Sequence, residues 1–302
     1  MRYVIVGAGG VGGCVGGYLA LAGNDVTLIA RGEHLKEIKR KGLTVNSAEK
    51  GSFNVKVNAC TMDEFTGTAD VIFVCVKYYS IKDAIDFVKR AADSSTAVIP
   101  LLNVFGTGER MQSELPNVTV TDGCIYIYSY IEKPGVIAKP SEIFKIYFGL
   151  RQGQSSNITD RLITVENDLK QAGIEAYLCD NIKKETFRKF TYVSPIGAAG
   201  LLCNAVAADF LKEGEARDTV VAMMGELLSL GRAMGIEYEE DMVQVNLKIL
   251  AGLEPDAKTS MQRDIEAGRP SEADGLICRV AEAGKKYGVD MPLYDKAVKI
   301  YG

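Results

Sequence analysis

An α/β fold, with a doubly wound parallel sheet followed by an all-helical domain, is predicted by three features of the sequence. Apolar, β-rich runs alternate with helix-like stretches through the first half of the chain. A glycine-rich turn, "GAGGVGG", joins the first of these runs directly to the first helix. After Asp180 the strand signals cease, and the remainder reads as helices broken at Gly214, Gly235, Pro255, Gly268 and Gly288. The expected domains are therefore 1–181 and 182–302, and the chain of 302 residues is longer than one hydrophobic core usually supports. No flexible linker marks the boundary, so a fixed interdomain cleft is expected.

Residues 2–6, "RYVIV", make the first strand and Val11 to Leu21 the first helix, which Gly23 closes. "DVTLIA" is the second strand, and a charged helix with Leu35 and Ile38 on one face leads to Gly42. Two units repeat the theme: "ADVIFVCVK" before the helix "SIKDAIDFVKRAA", and "STAVIPLLN" before a glycine-rich turn and the helical "GERMQSEL". Such unbroken apolar runs suit strands covered on both faces. Between residues 118 and 149, short Val/Ile/Tyr/Phe runs and a Pro134–Gly135 turn predict antiparallel strands that extend the same sheet. A helix over roughly 158–172 and a strand "IEAYLC" complete this domain.

Composition excludes several classes. At 47% apolar and 25% charged the chain is globular rather than disordered, and no run reaches the roughly 18 apolar residues of a membrane span. A net charge of −4 leaves no basic surplus for nucleic acid or an anionic membrane. Seven scattered cysteines without a C-x-x-C signal neither a disulfide framework nor a zinc site, so no metal is expected and the thiols read as reduced and mostly buried. No secretory pattern opens the chain, and a cytoplasmic protein is expected. The single histidine, His34, falls among Glu33, Lys36 and Glu37 at the start of a polar helix, where an exposed surface role is expected.

Gly7, Gly9 and Gly12 stand in G-x-G-x-x-G spacing between the first strand and the first helix. The first glycine permits the turn, the second lets a pyrophosphate approach the backbone, and the third lets helix and strand pack closely. The helix N-terminus adds free N–H groups and a positive dipole end. Gly7, Gly9, Gly10 and Gly12 are therefore assigned to a dinucleotide in a Rossmann-type domain. The second strand ends "LIARGEH": Arg31 occupies the position that favours NADP, with Glu33 near enough to leave NAD open.

Ligands of doubly wound sheets lie beyond the carboxyl ends of the strands. Lys77 follows "VIFVCV" and Asn103 follows "VIPLL". From position alone, Lys77 is open between a phosphate, ribose or carboxylate ligand and a solvated charge, and Asn103 between a cofactor or substrate ligand and a turn cap.

The stretch "TFRKFTYVSPIGA" sets Arg188 beside Lys189. As a helix it makes a core seam of Phe187, Phe190, Ser194, Gly197 and Leu201, with Lys189, Val193 and Ile196 beside it and Arg188 on a stripe with Tyr192 and Pro195. Pro195 is expected to break or kink this helix. Reduction of a ketone needs a proton donor, which a lysine among apolar walls can be and an arginine cannot. If one of the two is an acid it is Lys189; the other reading is a lysine that snorkels from a helix start.

These residues bring out a resemblance to the ketopantoate reductases (2-dehydropantoate 2-reductases), running from the first strand to "MPLYDKAV". It is carried by the glycine motif, Arg31 with "EHLKEIKRKGL", Lys77, Asn103 in "LLNVFG", Lys189 in "FRKF", and "TSMQRDIEAGRPSEADGL" with Ser260 and Glu272. The resemblance implies hydride transfer from NADPH to the C2 ketone of a 2-oxo acid, ketopantoate to pantoate, on the route to pantothenate and coenzyme A. It implies Lys189 as general acid, Glu272 as its charge partner and a cofactor contact, and Ser260 on the substrate carboxylate. Asn103 and Lys77 would line the nicotinamide side, and the protein would be a monomer or homodimer. Read from the residues alone, Ser260 and Glu272 could instead be a helix cap and a surface charge.

Four positions depart from the family's usual pattern. Val193 and Gly197 stand where it places asparagines four and eight residues after the lysine, Phe187 where it places tryptophan, and Asn103–Val104 where it places Asn-Gly. Losing such hydrogen-bonding groups changes substrate preference by orders of magnitude. A reductase of a more apolar 2-oxo acid, or an NADP-binding sensor without turnover, are the alternatives.

Overall fold

Runs of Val and Ile without polar alternation hide both faces of a strand, and they need helices on each side. The computed structural model describes residues 1–154 and 157–301. The chain divides into two compact units, Met1–Leu102 with Gly106–Ile182, and Asn103–Phe105 with Lys183 onward.

In the first unit, in chain order, the strands are β1 (Arg2–Val6), β2 (Asp25–Ile29), β3 (Leu43–Ser47), β4 (Gly51–Val55), β5 (Asn58–Cys60), β6 (Val71–Val74) and β7 (Ala97–Pro100). They continue with β8 (Thr119–Val120), β9 (Asp122–Ile127), β10 (Tyr130–Lys133), β11 (Val136–Lys139), β12 (Phe144–Gly149) and β13 (Glu175–Leu178). Helices α1 (Gly10–Leu21), α2 (Gly32–Lys41), α3 (Ile81–Ala91), α4 (Thr107–Glu114) and α5 (Thr159–Gln171) lie between them. The main sheet has six parallel strands in the order β5-β2-β1-β6-β7-β8. Its strand order reverses between β1 and β6, the crevice where such sheets bind ligands.

The strands after residue 118 do not all extend this sheet, contrary to expectation. Only β8 joins it; β10 and β11 pair with the hairpin β3–β4 in a four-stranded sheet, and β9, β12 and β13 make a three-stranded one. The sequence signals did not reveal β3, β4 and β5, which fill the gap after Gly42. Helix α1 explains the separation. Its glycines allow close approach on two faces: a Cβ at Gly16 would lie 2.5 Å from Leu28 of the main sheet, and one at Gly17 would lie 2.9 Å from Val45 of the smaller sheet. One small-residue helix thus serves as the filling between two sheets.

Among its described residues the second unit holds helices and no strand: α6 (Ile182–Leu202), α7 (Glu215–Ala233), α8 (Met242–Ala251), α9 (Ser260–Glu266), α10 (Arg279–Tyr287) and α11 (Pro292–Tyr301). Gly214 caps the start of α7, and Gly288, in the left-handed region at φ +68, closes α10. Helix α6 runs without a break through Pro195. Proline lacks the N–H that would bond the carbonyl four residues back, at Thr191. The Asn246 amide of α8 donates to that carbonyl at 3.0 Å and to the Thr191 hydroxyl at 3.1 Å. Asn246 is 1% exposed, so a buried side chain from another helix replaces the missing donor.

Candidate functional site

The residues singled out by the sequence fall into two groups, one in each unit. In the first unit, β1 ends at the glycine loop, where the N–H groups of Gly7 and Ala8 both reach the Ile29 carbonyl, at 3.2 and 3.0 Å. Gly7 has φ +97, and a Cβ there would lie 3.0 Å from Val76, so the turn requires glycine. A Cβ at Gly12 would collide with the Gly7 carbonyl oxygen, which accounts for the third glycine by close packing. Gly9, the N-cap of α1, has open space where its Cβ would be, and the first turn of α1 carries no acidic residue. An open glycine and unopposed N–H groups at a helix N-terminus suit a dinucleotide pyrophosphate. Gly10 has an additional reason to be glycine: a Cβ there would lie 2.6 Å from the Ser129 carbonyl oxygen.

Arg31 is exposed and N-caps α2 at the end of β2. Glu33 is paired with Lys36 at 2.6 Å. Lys77 is half-buried and precedes the 3-10 turn Tyr78–Ser80, whose Tyr78 hydroxyl accepts a 2.5 Å hydrogen bond from Arg110. His34 corrects the expectation of a surface residue. It is half-buried, with Nε2 2.9 Å from the Ala8 carbonyl and Nδ1 3.0 Å from the Gly135 amide, and burial lowers its pKa. The polar sequence around it carried no sign of those backbone partners. The cysteines are all free, but only Cys14 and Cys124 are buried and the other five are half-buried, so they are more accessible than expected.

In the second unit, α6 separates the two neighbouring cations. Arg188 is held by Glu240 at 2.7 Å and Glu185 at 3.7 Å, and its guanidinium lies 4.9 Å from the Tyr238 ring centre. Lys189 is 8% exposed, and its Nζ donates to Asn103 Oδ1 at 2.7 Å. Aromatic packing makes this contact possible. Phe105 packs edge-on against Phe187, with ring centres 5.0 Å apart, and lies 5.9 Å from Phe190. Segment 103–105 is thereby pinned to the face that carries Lys189. Phe187 fits because α7 offers Gly231, where a Cβ would lie 2.5 Å from its ring.

The other two residues sit on segments that dock against α6. Ser260 is half-buried and is the first residue of α9, not its cap. Thr259 is the N-cap and forms a capping box with Gln262. A Cβ at Gly197 would lie 2.7 Å from Met261 Cε, and one at Gly200 would strike the Gln262 amide, so small residues on α6 admit α9. Glu272 is 3% exposed, which rules out a surface charge. It precedes a π-helical turn, Asp274–Cys278, a distortion that is common at functional sites. Ser194 of α6 ties this turn down, donating to the Leu276 carbonyl at 2.7 Å and lying 2.6 Å from the Tyr294 hydroxyl.

The structure therefore joins Asn103 directly to Lys189 and sets Ser260 and Glu272 on neighbours of α6. Arg31, Lys77 and the glycine loop belong to the other unit. Sequence reasoning missed Phe105, Asn246 and Met261. Among the described residues no helix is long and apolar enough to cross a membrane.

Residues 3–153 match the family model described as Ketopantoate reductase PanE/ApbA, and residues 181–300 match its C-terminal counterpart. The chain is 27% identical over 295 residues to Uncharacterized oxidoreductase YkpB of Bacillus subtilis, covering 98% of this chain and 96% of the relative. It is 26% identical over 322 residues to a 2-dehydropantoate 2-reductase of Mesorhizobium japonicum, covering 99% and 96%. Among solved structures, a ternary structure of D-mandelate dehydrogenase with NADH and anilino(oxo)acetate superposes with a TM-score of 0.87 at 23% identity, covering 99% and 96%. With both parts of the chain matched, the protein belongs to the ketopantoate reductase PanE/ApbA family of NAD(P)-dependent oxidoreductases.

Proposed function

We propose that the protein reduces the C2 ketone of a 2-oxo acid with NADPH, with 2-dehydropantoate as the first candidate substrate and pantothenate synthesis in the cytoplasm as its setting, as a monomer or homodimer. The observation that carries this reading is the buried Lys189 ammonium held 2.7 Å from Asn103 Oδ1. A lysine so placed is an aimed proton donor beside a carboxamide that fixes its direction. Arg188 cannot take that role, since a guanidinium does not give up its proton and this one is engaged by Glu240.

The glycine loop, Arg31 and Lys77 would hold the dinucleotide, with Arg31 at the end of β2 for a 2′-phosphate and Glu33 occupied by Lys36. A reduced nicotinamide held there would supply the hydride for C2. Lys189 gives a proton to the oxygen as the C=O π-bond breaks, and recovers one from water. Ser260 would bind the carboxylate of the acid, and Glu272 would complement the Lys189 charge and contact the cofactor. The reaction balances as 2-oxo acid, NADPH and a proton giving 2-hydroxy acid and NADP.

A second reading within the same chemistry is favoured by the wall next to Lys189. One turn on lies Val193, then Ile196 and Gly197, with Met261 Cε against the latter. These groups offer no hydrogen bond to a substrate hydroxyl and suit an apolar side chain. The test is oxidation of NADPH, with NADH in parallel, against a panel of 2-oxo acids that includes 2-dehydropantoate, branched aliphatic and aromatic members. Turnover led by 2-dehydropantoate supports the first reading, and turnover led by apolar acids the second. Tight NADPH binding with no turnover of any member would refute both.

A further inference from the structure

We infer that His34 is a positioning residue for the dinucleotide site, tying the Ala8 carbonyl of the glycine loop to the Gly135 amide of the β10–β11 turn. This rests on the reading of that loop as the dinucleotide site. The partners fix the state of the ring. The Gly135 N–H can only donate and lies 3.0 Å from Nδ1, so Nδ1 carries no proton. The Ala8 carbonyl can only accept and lies 2.9 Å from Nε2, so Nε2 carries the proton. The imidazole is neutral and in a single tautomer.

Three elements meet at this ring. His34 belongs to α2, Ala8 lies between Gly7 and Gly9, and Gly135 lies in the turn just before β11. The turn lies against α2, since a Cβ at Gly135 would be 2.9 Å from Glu37 Cβ. The same hairpin approaches the loop from its other end, where Ser129 abuts Gly10. His34 is thus the polar cross-link of a brace that is otherwise made by packing. A loop that must present N–H groups to a pyrophosphate gains affinity from being held in that shape beforehand.

The experiment compares His34→Leu, which removes donor and acceptor, with His34→Gln, whose amide offers both. NADPH affinity is measured by titration and kcat with the preferred 2-oxo acid. His34→Leu is expected to weaken NADPH binding by about 10-fold, the scale of one or two lost hydrogen bonds, with kcat at saturating NADPH changed by less than ~2-fold. His34→Gln is expected to restore most of the affinity, which a purely space-filling role would not produce. The one imidazole in the chain also gives an isolated nitrogen NMR signature, expected to show a protonated Nε2 and a bare Nδ1. Unchanged affinity in His34→Leu, or a protonated Nδ1, would overturn the inference; if His34→Leu fails to fold, His34→Gln and the tautomer decide it. A wild-type protein that binds no dinucleotide would overturn the site reading as well, whereas wild-type binding indifferent to His34 overturns this inference alone.

Discussion

Lys189 Nζ and Asn103 Oδ1 lie 2.7 Å apart although 86 residues separate them in the chain. The contact joins a helix interior to a three-residue segment that follows a strand of the parallel sheet, and Phe105, packed on Phe187 and Phe190, fixes that segment in place. A cation with a specific acceptor is directed rather than merely near, and direction is what proton transfer needs.

Asn103→Ala removes this acceptor and loosens the aim of the Lys189 ammonium. The expected result is a fall in kcat of about 10- to 100-fold, the worth of a hydrogen bond to a charged group, with little change in stability. Steady-state kinetics at saturating NADPH check it, and an undiminished kcat would show that the contact has no part in turnover.

Asn246 and Pro195 are expected to be energetically coupled through the Thr191 carbonyl. Asn246→Leu strips that buried carbonyl of its donor and should cost about 1–3 kcal/mol in a denaturant titration. In a Pro195→Ala background the restored N–H serves the same carbonyl, and the loss should shrink below ~1 kcal/mol. Equal losses in both backgrounds would contradict the account of how α6 passes through proline.

Gly197 and Met261 should set substrate size. Gly197→Ala places a Cβ 2.7 Å from Met261 Cε, and the end of that flexible side chain must shift. Preference among apolar 2-oxo acids should shift by roughly 10-fold in kcat/KM toward smaller members, with NADPH affinity unaltered. Adding Met261→Ala should reverse the shift; if the double variant keeps it, Met261 is not what transmits the effect.

His34 should also leave a pH signature in stability. Burial lowers its pKa in the folded state, so between that lowered value and the ordinary value near 6.5 the unfolded chain binds more protons. Stability contributed by neutral His34 is then complete above about pH 6.5 and is lost as pH falls toward the folded pKa. On α2 the nearby charges are Arg31, Glu33, Lys36 and Glu37, with Glu33 paired to Lys36 and Glu37 to Arg40 and Lys41; the hairpin brings Glu132 and Lys133. His34→Gln retains all of these, so the difference between wild type and variant isolates the ring. That difference should move against the wild type on acidification from neutral pH, and a constant difference would be inconsistent with a neutral buried imidazole.

The glycine loop was legible because local chemistry dictates it, a turn that needs positive φ at Gly7, whereas Lys189 stood out over a snorkelling lysine chiefly through family register. The fate of Pro195 was not legible, because its compensation comes from Asn246, on a helix about fifty residues away. His34 was misread for a similar reason, since both of its partners are backbone groups that a sequence does not display. The strands after residue 118 were recognised as strands, but the placing of β10 and β11 in a separate sheet depended on β3 and β4, which the sequence reading had not picked out. Glu272 and Ser260 were singled out by family register alone, and the burial of Glu272 ahead of a π-turn had no local signal.

The central claim, that Lys189 delivers the proton, is tested most directly by Lys189→Ala in a paired measurement of NADPH affinity and single-turnover reduction of the preferred 2-oxo acid. The account predicts NADPH binding within about 2-fold of wild type and reduction slowed by ~100-fold or more, the scale of lost general acid catalysis. Reduction at the wild-type rate, or loss of NADPH binding in a folded variant, would contradict it.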